Sequence, residues 1–277
     1  MLEQLLGRSV GSMMHQPYGH GNIVFSLPEC VPPLVVKTSD RLDSFAHTEA
    51  NLDALKKLGI PVPSVMGRLV DDRFSIIVLE WIEGEDLGYA LAGMTHPQRI
   101  MLASQVVGIQ RKVVELPEGT GFGWTPIGQP GPFANWLEIV TRDLGRLSPK
   151  FQERLSPILA QLESEITAVR PVPFLDDLTV KNVIIQEGRL QGIVDLDHIC
   201  YGDPLFWLAL AETTVMLDVG EEATDYSNEL RRLWLIEARS CGRLGFYEAL
   251  FAASFLDREL QSEQAVRMER FFELRLG

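Results

Sequence analysis

Residues 174–204 read FLDDLTVKNVIIQEGRLQGIVDLDHICYGDP, and this stretch decides the fold. Two short apolar runs rich in β-branched residues flank a Glu-Gly pair at 187–188, which is the pattern of a β-hairpin. Polar residues stand just before the first strand and just after the second, so closing the hairpin brings them to the same end. These residues are Asp177, Asn182 and Asp195. Their oxygen atoms suit a hard cation, so the sequence predicts a site able to hold Mg²⁺ and a polyphosphate.

The composition is that of a globular protein with a sizeable core, because 46% of the 277 residues are hydrophobic. A formal net charge of −13 argues against a nucleic-acid partner and favours neutral or cationic ones. The cysteines, Cys30, Cys200 and Cys241, are odd in number and far apart, which supports neither a disulfide framework nor a zinc site. There is no signal-peptide pattern and no run long enough to span a bilayer, so we predict a cytoplasmic protein with no membrane partner.

The first third of the chain is predicted to consist mainly of strands around one helix. A polar, glycine-containing segment follows at 80–85 and is suited to a hinge. We therefore predict two lobes, residues 1–83 and residues 84–277. The predicted strands are 23–27, 34–37, 65–70 and 74–79, and the predicted helix is 43–58.

Four residues of this part are candidates for binding, and each has a plainer interpretation. Gly19 and Gly21 precede a strand, where backbone amides could cover phosphates, although a simple turn is the commoner role of such glycines. Lys37 ends a strand and is either a solvated edge residue or a phosphate ligand. Glu49 lies in the predicted helix, where it is either an exposed acid or the partner of Lys37 in an ion pair.

The remainder of the chain is predicted to be largely helical. Thr95 and Gln98 form a capping-box pattern with a proline in the first turn, which marks a helix start. The stretch 116–132 is rich in glycine and proline and is predicted to be a long loop, either a lid beside the substrate or a plain connector. Further helices are predicted at 133–147, at 148–169 and through most of 205–276.

Taken together, these features resemble the aminoglycoside phosphotransferase family of the protein-kinase-like fold. The resemblance runs in order over most of the chain and rests on Lys37, Glu49, the hinge at 80–84, the D-x-x-x-x-N spacing of 177–182, Asp195-Leu196-Asp197 and Gly202-Asp203-Pro204. It implies an α+β fold with a strand-rich N-terminal lobe and a helical C-terminal lobe. It also implies a small-molecule kinase that uses ATP and Mg²⁺ to phosphorylate a hydroxyl group.

The resemblance implies a role for each polar residue. Asp177 would accept or orient the proton of the acceptor hydroxyl, while Asn182 and Asp195 would hold magnesium on the β- and γ-phosphates. Lys37 would pair with phosphate oxygens, and Glu49 would fix the position of Lys37.

Backbone groups have implied roles as well. Glu80 and Ile82 would offer a carbonyl and an amide to adenine, so the identity of their side chains carries little information. Gly19 and Gly21 would cover the phosphates.

Several residues depart from the family pattern. Leu175-Asp176 stand where the family has His-Gly, so packing would take the place of hydrogen bonding here, and this departure puts the activity in question. Asp177 rather than Asp176 has the five-residue offset to Asn182, which favours it as the base. Lys181 replaces a family glycine and either offsets charge on the transferred phosphate or faces solvent.

Two acids near the site are predicted to be structural. Asp197 is expected to form a turn or to support the residues that contact the metal without contacting the metal itself. Asp203 is expected to cap a helix or to clamp the loop that carries Asp177.

Two other functional classes compete with a small-molecule kinase. A kinase-like module that binds nucleotide without catalysis is the alternative that Leu175 suggests. A protein kinase fits less well, because Pro204 follows Asp195 by nine residues and leaves little room for a peptide-docking loop.

The acceptor is expected to be a small hydroxyl compound, for example an amine-bearing sugar or an amino alcohol, since an acidic protein attracts cations. Similar scaffolds serve choline, homoserine, fructosamines and macrolides, so the fold does not select among them. The oligomeric state and the choice of ATP over GTP stay open.

Overall fold

A computed structural model describes residues 2–16, 22–234 and 241–276. The strands of this part are β1 (Met14–Gln16), β2 (Ile23–Leu27), β3 (Leu34–Ser39), β4 (Val65–Val70), β5 (Ser75–Glu80), β6 (Glu85–Asp86), β7 (Gly123–Thr125), β8 (Val172–Phe174), β9 (Val183–Gln186), β10 (Arg189–Ile193) and β11 (Ile199–Gly202). The helices are α1 (Leu2–Leu6), α2 (Thr48–Lys57), α3 (Leu87–Ala90), α4 (His96–Val113), α5 (Trp136–Gly145), α6 (Pro149–Thr167), α7 (Leu205–Asp218), α8 (Thr224–Trp234), α9 (Cys241–Leu256) and α10 (Ser262–Leu276).

The N-terminal part is an antiparallel sheet in the order β1-β2-β3-β5-β4. Its central strands are buried on both faces, which explains their continuous apolar runs. Val36 and Val78 pack into a cluster with helix α1, whereas Ile77 belongs to the main core of the molecule. Lys37 lies directly opposite Ile77 in the β3–β5 ladder. Because facing residues of a pair share one side of the sheet, the lysine is directed toward the interior of the molecule.

The predicted hairpin is strands β9 and β10, joined antiparallel across Glu187 and Gly188. Both turn residues have positive φ angles, 51° and 73°, as a two-residue hairpin turn requires. The short strand β6 adds to the outer edge of β9. The hairpin prediction is confirmed.

Helices fill the C-terminal part around an aromatic core that includes Trp136, Trp207 and Tyr247. The predicted capping box opens helix α4, where the Thr95 amide donates to Oε1 of Gln98 at 2.9 Å. Helices α5 and α6 match the predictions to within about three residues, which is the usual fraying at helix ends. The described part of 205–276 is mostly helical, as predicted.

Two predicted boundaries were wrong. Helix α2 begins at Thr48 rather than at Asp43, because 42–47 form turns. The stretch 116–132 is not loop throughout, since it contains β7, which pairs with β11. A bridge between Phe122 and Phe133 closes the same segment. These pairings tie it to the body of the C-terminal part.

The architecture is the predicted α+β combination, with a strand-rich N-terminal part followed by a mainly helical part. Within the ranges that the structure describes, every helix is too short or too polar to cross a membrane.

Candidate active site

The β9–β10 hairpin brings two predicted metal ligands to one end. Val183 and Ile193 are paired at the open end of the ladder, and the Val194 amide donates to the Asn182 carbonyl at 2.9 Å. Asp195 follows directly and has a φ angle of 65°, which is uncommon for a residue other than glycine. A backbone in this conformation persists only where its surroundings hold it, and such residues concentrate at functional sites.

The loop from Asp177 to Asn182 folds back on itself. The Asn182 side-chain amide donates to the Asp177 carbonyl at 2.9 Å, and the Thr179 hydroxyl donates to the Asp177 carboxylate at 3.2 Å. These bonds hold Asp177 beside Asn182. The structure therefore brings Asp177, Asn182 and Asp195 together, as the sequence predicts.

The electrostatics of Asp177 suit a proton acceptor. Its side chain is open to solvent along one side, yet surrounding protein atoms desolvate it, and Asp176 and Asp195 add negative charge nearby. Desolvation first, and these two charges second, raise the pKa of Asp177 to about 6. A carboxylate with such a pKa is ionised at neutral pH and is a stronger base than an ordinary aspartate.

Asp176 has a different environment. The indole Nε1 of Trp124 donates to its carboxylate, and burial raises the pKa of Asp176. Asp176 is thus engaged with the body of the C-terminal part, whereas Asp177 is exposed. This difference supports Asp177 as the base.

Buried polar groups anchor the loop from behind. Gln110, which is fully buried in α4, accepts from the Leu175 amide and donates to the Leu175 carbonyl, both at 3.0 Å. The indole of Trp207 donates to the Leu178 carbonyl at 2.9 Å, and the Gly88 amide donates to the Val180 carbonyl at 3.1 Å. Gln110 thus supplies hydrogen bonds to the backbone of Leu175, the residue at which the sequence departs from the pattern that it resembles.

Lys37 bridges the N-terminal sheet and the hairpin. Its Nζ lies 2.6 Å from Oδ1 of Asp195, and its side chain is only 11% exposed, against 45% for Asp195. Burial acts to lower the pKa of Lys37, but the carboxylates of Asp195 and Asp197 outweigh it, so the pKa is raised. The lysine is therefore a fixed cation at the end of the hairpin.

The predicted ion pair between Lys37 and Glu49 is not formed. The buried residues of α2 are Thr48, Asn51, Leu52 and Leu55, which follow the spacing of one helix face. Glu49 lies off this face and is exposed. Among the described residues, the partner of Lys37 is Asp195.

The predicted hinge segment pairs its first two amides and leaves the amide of Ile82 without an acceptor among the described residues. The Glu80 amide donates to the Ser64 carbonyl at 2.9 Å, and the Trp81 amide donates to the Pro33 carbonyl at 3.1 Å. Within the described ranges, the Ile82 amide has no such acceptor. Gly84 follows with a φ angle of 133° and approaches the Ile185 carbonyl so closely that a Cβ would clash. This glycine allows the chain to cross from the sheet to the hairpin.

The other predicted residues have definite positions or lie outside the described ranges. Gly19 and Gly21 lie outside them. The ammonium of Lys181 lies 3.9 Å from the Asp86 carboxylate and 4.6 Å from the centre of the Tyr89 ring. Lys181 is thus directed toward the start of α3.

The two acids predicted to be structural make structural contacts. Asp197 accepts from the hydroxyl of Thr48 at 2.8 Å. Asp203 is buried and accepts from Arg243 at 2.6 Å, from Tyr247 at 3.1 Å and from the Leu205 amide that opens α7 at 3.2 Å. Asp203 holds helices α7 and α9 together.

The donor set fits magnesium bound together with a polyphosphate. Among the described residues, no three His, Cys, Asp or Glu side chains form a metal-binding group. Mg²⁺ does not need one, because it commonly uses one or two protein oxygens and completes its octahedron with phosphate oxygens and water. The Asp195 carboxylate and the Asn182 amide oxygen meet that requirement.

Sequence reasoning missed Gln110, Trp207, Thr48 and Asn51. One signal was available for Gln110, since it stands on the apolar stripe of α4 near Ala103 and Val107. A polar residue on a buried face needs a partner, and here the partner is the backbone of the loop.

Comparisons with known proteins agree with this geometry. Residues 30–234 match the family model of the phosphotransferase enzyme family. Comparison with curated protein sequences gives no match.

Solved structures give the same fold. A thermostable mutant of aminoglycoside phosphotransferase APH(4)-Ia in its apo form has a TM-score of 0.76 at 15% identity and covers 99% of this chain and 97% of its own. A ternary complex of a thermostable mutant of that enzyme with AMP-PNP and hygromycin B has a TM-score of 0.75 at 15% identity, covering 99% and 96%. A fructosamine-3-kinase described as putative, from Haemophilus somnus 129PT, has a TM-score of 0.64 at 15% identity, covering 100% and 95%.

The family model spans well over half of the chain and includes every described residue that the site brings together. The prediction of a phosphotransferase of the small-molecule kinase type is therefore confirmed at the level of the family. This chain belongs to the phosphotransferase enzyme family.

Proposed function

We propose that this chain transfers the γ-phosphoryl group of ATP to a hydroxyl group of a small molecule in a Mg²⁺-dependent reaction. The observation that carries the proposal is the contact between Lys37 and Asp195, at 2.6 Å, across 158 positions of sequence. It sets a buried cation from the N-terminal sheet against the end of the hairpin where Asp177 and Asn182 also lie. Such an arrangement is what binding and charge neutralisation of a polyphosphate require.

Each residue has a distinct part in the proposed reaction. Asp177 accepts the proton of the acceptor hydroxyl. The hydroxyl oxygen bonds to the γ-phosphorus, and the bond between that phosphorus and the bridging oxygen breaks, so that ADP leaves with this oxygen. Asn182 and Asp195 hold Mg²⁺, which neutralises phosphate charge when bound. Lys37 pairs with phosphate oxygens. Gly19 and Gly21 are proposed to cover those phosphates.

The adenine contact is proposed to use backbone groups of the hinge. The amide of Ile82 and the carbonyl of Glu80 are the polar groups assigned to it, and the amide has no acceptor within the described ranges. The hinge also marks the proposed division into lobes, at residues 1–83 and 84–277. Glu49 has no assigned part, because it is exposed and away from Lys37.

The acceptor is proposed to be a cationic hydroxyl compound, such as an amine-bearing sugar or an amino alcohol. The net charge of −13 supports this choice, because a negative field attracts cationic substrates. The solved complex of a similar protein with hygromycin B, and the similar structure described as a putative fructosamine-3-kinase, support the same class. We further propose that the protein acts in the cytoplasm, where ATP and Mg²⁺ are available.

The test separates binding from transfer. Mg²⁺-ATP affinity and phosphate transfer are measured in parallel across a panel of amino sugars, amino alcohols and neutral sugars. Asp177→Asn should retain nucleotide affinity while losing transfer by about 10²- to 10⁴-fold, because only the proton acceptor has been removed. Tight nucleotide binding without transfer to any acceptor would instead favour the kinase-like module that binds nucleotide without catalysis.

A further inference from the structure

One buried side chain joins three separate segments beside the candidate site. Asn51 on helix α2 is 2% exposed. Its Nδ2 donates to the backbone carbonyl of Asp197 at 2.6 Å, and its Oδ1 accepts from the Ile127 amide at 2.9 Å. Asn51 therefore connects the N-terminal part, the segment after Asp195 and the 126–130 turn.

A second side chain of α2 binds the same aspartate. Thr48 is also 2% exposed, and its hydroxyl donates to Oδ1 of Asp197 at 2.8 Å. Asp197 is thus held at both its main-chain and its side-chain oxygen atoms. We call Thr48 and Asn51 the α2 brace.

The brace acts on a strained part of the chain. Asp195 stands two residues before Asp197, and its φ angle of 65° lies in the left-handed region, which is uncommon for a residue other than glycine. Upstream, the Val194 amide is held by the Asn182 carbonyl at 2.9 Å. Downstream, the brace supplies the second fixed point. Asp195 is therefore held between two anchors, as a strained functional residue must be.

We propose that Thr48 and Asn51 are positioning residues that hold Asp195, the proposed magnesium ligand, in place at the end of the hairpin. Helix α2 is then linked to the site through Asp197, and not through the ion pair of Glu49 with Lys37 that the sequence suggested. This inference rests on the proposed function. It assigns the link between helix α2 and the proposed metal site to hydrogen bonds donated by two uncharged side chains. The 126–130 turn shares that link through Ile127, and the Gly128 amide donates to the Tyr201 hydroxyl at 3.1 Å on its other side.

The experiment measures how much Mg²⁺ strengthens ADP binding. ADP affinity is determined by calorimetry with Mg²⁺ and with EDTA for the parent protein, Asn51→Ala and Thr48→Val. Loss of the hydrogen bond from the brace residue to Asp197 should reduce the Mg²⁺-dependent gain about 2- to 10-fold, while affinity in EDTA changes less than about twofold. Asp53→Ala, an exposed change on the same helix, is the matched control and should behave as the parent protein does.

A second measurement uses the protein without nucleotide or Mg²⁺. Amide hydrogen exchange at Ile127 should become faster in Asn51→Ala, because its acceptor is lost, and should stay unchanged in Thr48→Val. If Asn51→Ala fails to fold, Thr48→Val decides the question, since valine keeps the branched shape and loses only the hydroxyl.

Failure of the inference and failure of the proposed function give different results. An undiminished Mg²⁺-dependent gain in folded brace variants, with the parent protein binding ADP normally, would overturn the inference alone. A parent protein that binds no nucleotide in either condition would overturn the proposed function and the inference with it.

Discussion

Gln110 is the sharpest test of how the loop carrying Asp177 is held. Gln110→Leu keeps a side chain of similar size but removes both hydrogen bonds to the Leu175 backbone. Gln110 is fully buried and Leu175 is 2% exposed, so water cannot replace the lost partners. The change therefore leaves one amide and one carbonyl of Leu175 without a partner.

The expected cost follows from these two groups. Each buried polar group left unpaired costs about 1–3 kcal/mol, which gives about 2–6 kcal/mol for the pair. Added apolar burial by leucine returns about 1 kcal/mol. We expect the free energy of unfolding to fall by about 1–5 kcal/mol. At an m-value of about 3 kcal/mol/M, the urea midpoint would fall by about 0.3–1.7 M.

Urea titrations followed by circular dichroism and by tryptophan fluorescence measure this loss, and coincident transitions justify a two-state treatment. Gln105→Leu is the matched control, because Gln105 is exposed on the same helix. It should change stability by no more than about 0.5 kcal/mol. If Gln110→Leu and Gln105→Leu have equal midpoints, the backbone of Leu175 is not anchored by Gln110 and the account of the loop is wrong.

The remaining predictions concern the proposed reaction. Lys37→Met should weaken Mg²⁺-ATP binding about 10- to 100-fold by calorimetry, since a charge-assisted contact to phosphate is lost. Glu49→Gln should change that affinity less than about twofold, and an effect as large as that of Lys37→Met would restore the ion pair that the structure does not form. The kcat/KM for transfer should fall as the pH is lowered through about 6, because protonated Asp177 cannot accept a proton, and Asp177→Asn should lose this dependence. EDTA should abolish transfer and reduce the thermal stabilisation by ADP, while the melting temperature without nucleotide stays the same.

The hairpin could be predicted from sequence because its signals are local. Two β-branched runs, a two-residue turn and flanking polar residues all lie within about twenty positions, and a closed hairpin leaves little choice in where its ends meet. The capping box at Thr95 and Gln98 is local in the same sense. Such features do not depend on the rest of the fold.

The rotation of helix α2 could not be predicted, because distant contacts set it. Its inward positions include Thr48 and Asn51, whose partner Asp197 is almost 150 residues away. The spacing of apolar residues does not reveal polar side chains that are buried because they hydrogen-bond to such a distant partner. Because the apolar pattern does not include these two positions, it left open whether Glu49 is exposed or pairs with Lys37.

The prediction that 116–132 is loop throughout was wrong for a related reason. Its strand β7 has only three residues, and the partner β11 begins at Ile199, more than seventy residues later. Glycine and proline dominate the local sequence and predict a loop. Pairing with a distant strand overrides that local preference, as it commonly does for short edge strands.

Lys37 is held by Asp195 rather than by Glu49, and this alters the charge balance of the site. Asp177, Asp195 and Asp197 lie close enough together for their charges to interact, so without a cation they would repel one another. The ammonium of Lys37 supplies that cation. A metal ion bound by Asp195 would supply it instead, and the lysine could then turn its charge to phosphate oxygens. Asp195 is the more exposed partner of the pair, at 45% against 11% for Lys37, so its carboxylate is the side of the pair that a ligand reaches more readily.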